Sequence, residues 1–104
     1  MQPKAYIFNA SFYTTPPYRP QWENWLYKIF FPFVSDLAPD VKTEVFEVLS
    51  EINQDMYIFS VQLRCSSYEE LKTIQKMTAP VFDEFKQRFG ETVTNFNSVL
   101  NKID

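Results

Sequence analysis

Neutral hydrogen-bonding side chains recur inside the apolar segments of this chain, and they are its main candidates for contacting a ligand. Amide and hydroxyl groups orient a ligand by donating and accepting hydrogen bonds, but they do not titrate near neutral pH and make poor acid-base catalysts. The chemistry they favour is therefore binding of a neutral or weakly polar molecule. The predicted ligand-binding residues are Asn9, Ser11, Ser60, Gln62, Asn95 and Asn97.

Residues that commonly carry catalysis are scarce. The 104 residues include no histidine, one cysteine (Cys65) and one glycine (Gly90). A Ser-His or Cys-His relay, a histidine metal site and a glycine-rich phosphate loop are thereby excluded. The spacing of Glu44, Glu47 and Glu51 does not match a metal-binding loop, so we expect a solvated strand there. We expect no catalytic residue, no metal and no cofactor.

Charge and composition limit the partners. The net charge of −3 argues against nucleic acid and against an anionic membrane, because both require a basic surface. The aromatic content of 18% exceeds what a small monomer needs for packing and favours a homodimer. Cys65 has no partner for an internal disulfide and is expected to be a small buried apolar residue. Without a recognisable export signal or membrane span, a soluble cytoplasmic protein is expected.

The first half of the chain predicts a strand, a helix and a second strand. Residues 5–13 are rich in β-branched and aromatic types and predict the first strand. A helix follows the proline-rich segment 14–20. Trp22 and Trp25 could form an aromatic cage, but their helical spacing favours core. Pro32 should kink this helix near Lys28 or end it. Residues 41–50 predict the second strand.

The second half of the chain predicts another strand, a second helix and a last strand. A polar loop at 51–55 leads to a third strand at 56–65, where apolar and polar residues alternate. Ser67 and Glu70 match a capping box at the start of the second helix. Pro80 should kink this helix, and Gly90 should end it in a left-handed cap. Residues 92–100 predict the last strand.

The order β-α-β-β-α-β predicts an α+β, ferredoxin-like sandwich, with a four-stranded antiparallel sheet and two helices on one face. One domain spanning residues 1–104 is expected. The other sheet face is left open, and if Phe96 points inward, Asn95 and Asn97 join the polar residues there. Three interpretations of this face stay open: a solvated surface, a ligand pocket, and a dimer interface. The interface would bury Ile7, Met56 and Ile58 together with Val93 or Val99.

Several motifs resemble an uncharacterised bacterial family classed as a domain of unknown function. Trp22-x-x-Trp25-Leu26 followed by Phe31-Pro32 is similar to that family's Trp-x-x-Trp-[Leu/Met] and His-Ile-Pro pattern. Tyr57-x-Phe59-Ser60-Val61-Gln62 is similar to its Tyr-Ser-Val-Gln segment. Further similarities, which extend the resemblance over nearly the whole chain, lie at Ala79-Pro80, Arg88-Phe89-Gly90 and Phe96.

The resemblance implies a ferredoxin-like fold of the dimeric α/β-barrel type and no known activity. This chain departs from the family pattern at two positions. Phe30 replaces the usual histidine, and Asn97 replaces the usual arginine after the last-strand phenylalanine. Any chemistry those two residues perform in relatives is therefore lost here.

The leading hypothesis is a small non-enzymatic homodimer that is structural or binds a small neutral ligand at the open face. The alternative is an oxygenase- or isomerase-like enzyme of the dimeric α/β-barrel class, which rests on fold analogy. RNA binding ranks last, because the aromatic RNA-recognition signature is missing and the chain is acidic.

Overall fold

The computed structural model describes residues 5–49 and 55–103. Its four strands form one antiparallel sheet in the order β2-β3-β1-β4. The strands are β1 (Tyr6–Thr14), β2 (Lys42–Glu47), β3 (Tyr57–Cys65) and β4 (Val93–Asn101). The helices are α1 (Arg19–Trp25), a π-helical segment (Leu26–Phe30), α2 (Phe31–Leu37) and α3 (Tyr68–Phe89). The predicted ferredoxin-like α+β fold is confirmed, with α1, the π segment and α2 forming one helical stretch.

The core lies between one face of the sheet and the helices. β1 and β3 alternate strictly, so Phe8, Ala10 and Phe12 are buried on the same face as Phe59 and Val61. Strands that bury one face produce this period of two. On the helix side, Trp22 stacks on Phe59 with ring centroids 4.3 Å apart. The prediction that the tryptophans belong to the core is confirmed, since Trp22 and Trp25 are both buried.

Pro32 neither ends the first helix nor separates it into two pieces. The chain passes from α1 through the π segment into α2, and the Phe31 amide donates to the Leu26 carbonyl, five residues back. A proline ring inside a regular helix would clash with the carbonyl four residues earlier, here that of Lys28. The wider π turn precedes the proline. Of the two predicted outcomes, a kink near Lys28 or the end of the helix, the second was wrong.

Helix α3 begins and ends close to its predicted limits and continues through Pro80. The Ser67 hydroxyl accepts the Glu70 amide at 3.1 Å, as a capping serine should. The reciprocal arm differs from a capping box, because the Glu70 carboxylate accepts from the amide of Ser66, at 3.0 Å. Gly90 has the positive φ expected of it, at 58°, but its ψ of −126° lies outside the left-handed helical region.

The two edge strands of the sheet differ in length and charge. β2 covers six residues, of which Lys42, Glu44 and Glu47 are charged. It is shorter than predicted, and most of the predicted loop 51–55 lies outside the described residues. β4 covers nine residues and carries no charge and no proline. The edge of β2 therefore carries the charges that discourage further strand pairing, whereas β4 does not.

Candidate functional site

The open face of the sheet presents four aligned rows of side chains, because paired antiparallel residues point to the same side. The two central rows contain most of the polar residues. One row consists of Glu44, Gln62, Asn9 and Ser98. The next consists of Phe46, Ser60, Ser11 and Phe96. Four predicted ligand-binding residues, Asn9, Ser11, Ser60 and Gln62, are thus neighbours on the two central strands.

Asn9 is the hub of a hydrogen-bonded network in these rows. Its side-chain carbonyl accepts from the Ser60 hydroxyl at 2.5 Å. Its amide nitrogen donates to the hydroxyl oxygens of Ser11 at 3.1 Å and Ser98 at 3.4 Å. Gln62 Nε2 donates to Ser60 Oγ at 3.3 Å. Every member is neutral and part-buried, so the network can lose contact with water at a lower cost than charged groups would incur.

The network leaves some hydrogen-bond donors and acceptors available to bind a ligand. Both amide hydrogens of Asn9 are used, and its carbonyl already accepts one bond. The Gln62 carbonyl accepts no bond from the described residues, and Ser11 and Ser98 each keep a hydroxyl hydrogen. These groups could accept from and donate to a small molecule. None can act as a general acid or base near neutral pH.

Asn95 and Asn97 do not belong to this face, and their predicted placement was wrong. Asn95 pairs with Phe12 and Asn97 with Ala10, so both lie on the helix side of the sheet. Phe96 pairs with Ser11 on the open face and is 68% exposed. The orientation of β4 follows from Val93, which is 1% exposed and pairs with buried Thr14. Val93 and Phe96 are three residues apart, so a strand cannot bury both.

The sequence contained a signal for the true orientation. Gly90 ends α3, and Val93 is the first apolar residue that follows it as the chain enters the sheet. Giving Val93 the inward position places Thr94, Phe96 and Ser98 on the open face. Ser98, an Asn9 partner, was missed because the large Phe96 was assumed to point inward. Val93 and Val99 therefore do not belong to the predicted interface, because both point to the same side of the sheet as Asn95, the side that the helices cover.

Apolar side chains surround the polar rows. Ile7 pairs with Arg64 and Leu100 at one end of the face, and Ile58 pairs with Tyr13 at the other. Met56 directly precedes β3 and is partly exposed. Exposed apolar residues on the described strands of this face include Tyr13, Phe46, Phe96 and Leu100. A polar centre within an apolar border suits an interface or a ligand site.

The remaining candidate groups are separated or buried. Glu44 pairs with Gln62 and Glu47 with Phe59, so the two carboxylates lie on opposite faces; Glu51 lies outside the described residues. No cluster of three potential ligands occurs in residues 5–49 and 55–103. Cys65 is buried, as predicted, and its burial, with the nearby Glu70 charge, raises the thiol pKa to about 11. Phe30 lies wholly inside the core.

No described helix combines the length and apolar character that a membrane span requires. No curated protein is similar in sequence to this chain. Its fold nevertheless occurs in solved structures of low sequence identity.

A dimeric ferredoxin-like protein from an uncultured marine organism superposes with a TM-score of 0.73 at 11% identity, over 99% of this chain and 98% of that one. The de novo designed protein Foldit4 superposes with a TM-score of 0.62 at 13% identity, over 96% and 98%. An ethyl tert-butyl ether (EthD) family protein from Bacillus halodurans C-125 gives 0.56 at 12% identity, over 89% and 96%. At these identities the likeness concerns the fold.

The sequence itself identifies the family. Residues 5–103 match a family described as a domain of unknown function, DUF4286. The match includes all four strands and both helical stretches. The predicted membership of an uncharacterised ferredoxin-like family is confirmed, and the chain belongs to the DUF4286 family.

Proposed function

We propose that this protein is a non-enzymatic homodimer that binds a small neutral molecule between the open sheet faces of two copies. The observation that carries the proposal is the uncharged, internally bonded network around Asn9 within an apolar border. A solved ferredoxin-like neighbour that is described as dimeric supports a homodimer by analogy of fold.

The composition of the face supports pairing with a second copy. In a twofold dimer each patch meets itself, so charged residues at the centre would repel their own copies. The central residues Asn9, Ser11 and Ser60 are neutral and remove that obstacle. Phe96 and Tyr13, with Phe46, supply the aromatic area that interfaces favour.

We also propose that the chain acts as a single domain, residues 1–104, in a bacterial cytoplasm. The lone Cys65 supports this location, because exported domains of this size commonly depend on disulfides. The proposal includes no nucleic acid, no membrane and no cofactor. Measured turnover of a substrate would contradict the non-enzymatic part of the proposal and favour the dimeric α/β-barrel enzyme instead.

Sedimentation equilibrium at micromolar concentration tests the dimer. The wild-type chain should sediment as a dimer, and Ile58→Lys should shift it toward monomer by placing a charge on the open face. Ile29→Lys is the matched control, since Ile29 is an exposed isoleucine of the π segment. A wild-type monomer at every concentration, or equal effects of the two substitutions, would contradict the open-face dimer.

Thermal shift with a panel of uncharged aromatic amides and alcohols tests ligand binding. A compound that stabilises the wild-type protein should lose its effect in Asn9→Ala and Gln62→Ala. Asn97→Ala is the matched control, because Asn97 lies on the opposite face. Stabilisation that persists in both open-face variants would move the site elsewhere.

A further inference from the structure

A cavity of about 270 Å³ lies at one end of the sheet, where several cationic side chains converge. Its charged lining residues are Lys42, Arg64, Lys102 and Asp40. Three cations and one carboxylate give this cavity an excess of positive charge, whereas the whole chain carries −3. A concave site lined by one sign of charge raises the local concentration of oppositely charged solutes.

The backbone fixes where these cations meet. Lys42 and Arg64 are directly paired across β2 and β3, and both lie on the open face. Lys102 follows β4, and its amide donates to the Ala5 carbonyl at 2.8 Å, which extends the β1–β4 register. The cavity therefore adjoins the row that contains Ile7 and Leu100, beyond the neutral centre of the face.

The pairing of Lys42 with Arg64 is unfavourable without an anion. Like charges directly opposite each other on neighbouring strands destabilise a sheet. Glu44 offsets this only in part, because its carboxylate is 3.9 Å from Arg64. Lys42 and Lys102 form no ion pair with another described residue. A local arrangement that lowers stability with no evident structural gain is typical of a functional site.

The positive N-terminal end of α3 does not provide the attraction for an anion in this cavity. The amide and the hydroxyl of Ser66, which also lines the cavity, both donate to the Glu70 carboxylate, at 3.0 and 3.3 Å. Glu69 and Glu70 occupy the first turn of the helix and oppose its positive end. The cationic side chains are thus the groups that can bind an anion here.

We propose that this cavity binds the oxyanion group of a small molecule, a carboxylate or a phosphate. The guanidinium of Arg64 presents paired donors suited to either group, and Lys42 and Lys102 add point charges. The volume lies slightly below the range of cavities that hold drug-sized ligands, which favours a small acid over a nucleotide. This site goes beyond the proposed neutral site and needs one copy of the chain.

Two probes test the site: inorganic phosphate and sodium benzoate, each titrated at constant ionic strength with NaCl as reference, and followed by amide chemical shifts. At least one probe should produce saturable shifts near Arg64 and Lys102. A response to benzoate alone identifies a carboxylate site, and a response to phosphate alone a phosphate site. Absence of a saturable response to both would overturn the proposal.

Charge-removing variants locate the binding. Arg64→Gln and Lys102→Gln should each raise the Kd about tenfold or more, because a charge-assisted hydrogen bond is lost. Lys76→Gln, an exposed lysine of α3 outside the cavity, should leave the Kd unchanged. Far-UV circular dichroism verifies that each variant is folded. Equal Kd values in wild type and both cavity variants would overturn the proposal.

The same titration separates this site from the proposed function. Asn9→Ala should retain anion binding, because Asn9 does not line the cavity. Ile58→Lys should retain it as well, even if that variant is monomeric. Loss of anion binding in a folded Ile58→Lys monomer would overturn the placement of the site within one chain.

Discussion

At the scale of single residues, the buried core of this small protein is built around contacts between aromatic rings. Trp25 is 2% exposed and its ring contacts four phenylalanines, at centroid distances of 4.5 Å to Phe85, 5.2 Å to Phe30, 5.7 Å to Phe12 and 6.2 Å to Phe82. Offset and edge-on aromatic contacts add to the energy of area burial. The apolar side chains of the helices and those on the buried face of β1 therefore meet at the Trp25 ring.

Removing the Trp25 ring should strongly destabilise the folded protein. Trp25→Ala should lower the free energy of unfolding by about 3–5 kcal/mol, because transfer energy is lost and a cavity remains. Urea unfolding followed by far-UV circular dichroism measures the change, and native tryptophan fluorescence should be blue-shifted. Trp25→Phe is the control and should lose less. A near-neutral Trp25→Ala would contradict the core assignment.

The thiol of Cys65 should make stability depend on alkaline pH. Burial, together with the charge of Glu70, raises its pKa from 9.0 to about 11. Between these values the unfolded thiol loses its proton while the folded thiol keeps it, so the thiol's contribution to stability falls as pH rises. It is fully present below about pH 9 and lost through pH 11.

Urea unfolding at pH 8, 9, 10 and 11 measures this effect against Cys65→Ala. The wild-type protein should lose more stability than the variant over that range, and the difference isolates the thiol from tyrosines and lysines. The native thiol should also resist iodoacetamide at pH 8, since alkylation requires the thiolate. Parallel pH profiles of the two proteins would contradict a raised thiol pKa.

At the scale of elements, the end of α3 depends on one backbone conformation. Gly90 combines a φ of 58° with a ψ of −126°, a region almost confined to glycine. A Cβ built there would meet no atom within 4 Å, so a side chain would suffer backbone strain without a steric clash. Only the dihedral angles exclude other residues.

Gly90→Ala should therefore lower the free energy of unfolding by about 1–3 kcal/mol. Gly90→Asn distinguishes this geometry from an ordinary left-handed cap, where asparagine is tolerated. Both variants should lose similar stability in urea unfolding. Substantial rescue by asparagine would indicate that the cap is left-handed helical instead.

The elements also show where sequence reasoning succeeds and where it stops. The alternation in β1 and β3 was predicted because both faces of a central strand have distinct neighbours. The two faces of β4 were interchanged in the prediction, because a large aromatic residue on an edge strand can remain exposed, as Phe96 does. Pro32 was expected to kink the helix or to end it, and the sequence does not reveal that one turn widens before the proline instead. Four polar residues were therefore placed correctly and two were not.

At the scale of the whole molecule, the open face should make stability depend on protein concentration. If two copies pair, mass action stabilises the folded dimer, and Tm should rise with concentration. Differential scanning calorimetry of wild type from about ten to a few hundred micromolar measures this. Ile58→Lys should show a Tm independent of concentration, and an equally flat wild-type response would contradict pairing.

The unequal edges of the sheet bear on how far association can proceed. A fibre grows when the β4 edge of one molecule pairs with the β2 edge of the next, without limit. The charges of Lys42, Glu44 and Glu47 oppose that head-to-tail step on the short β2 edge. Two β4 edges can instead meet antiparallel as like with like, and such a pair leaves only β2 edges outside. The asymmetry between the edges thus opposes growth by β4-to-β2 pairing, so crowding of this protein should not produce fibres built by that head-to-tail step.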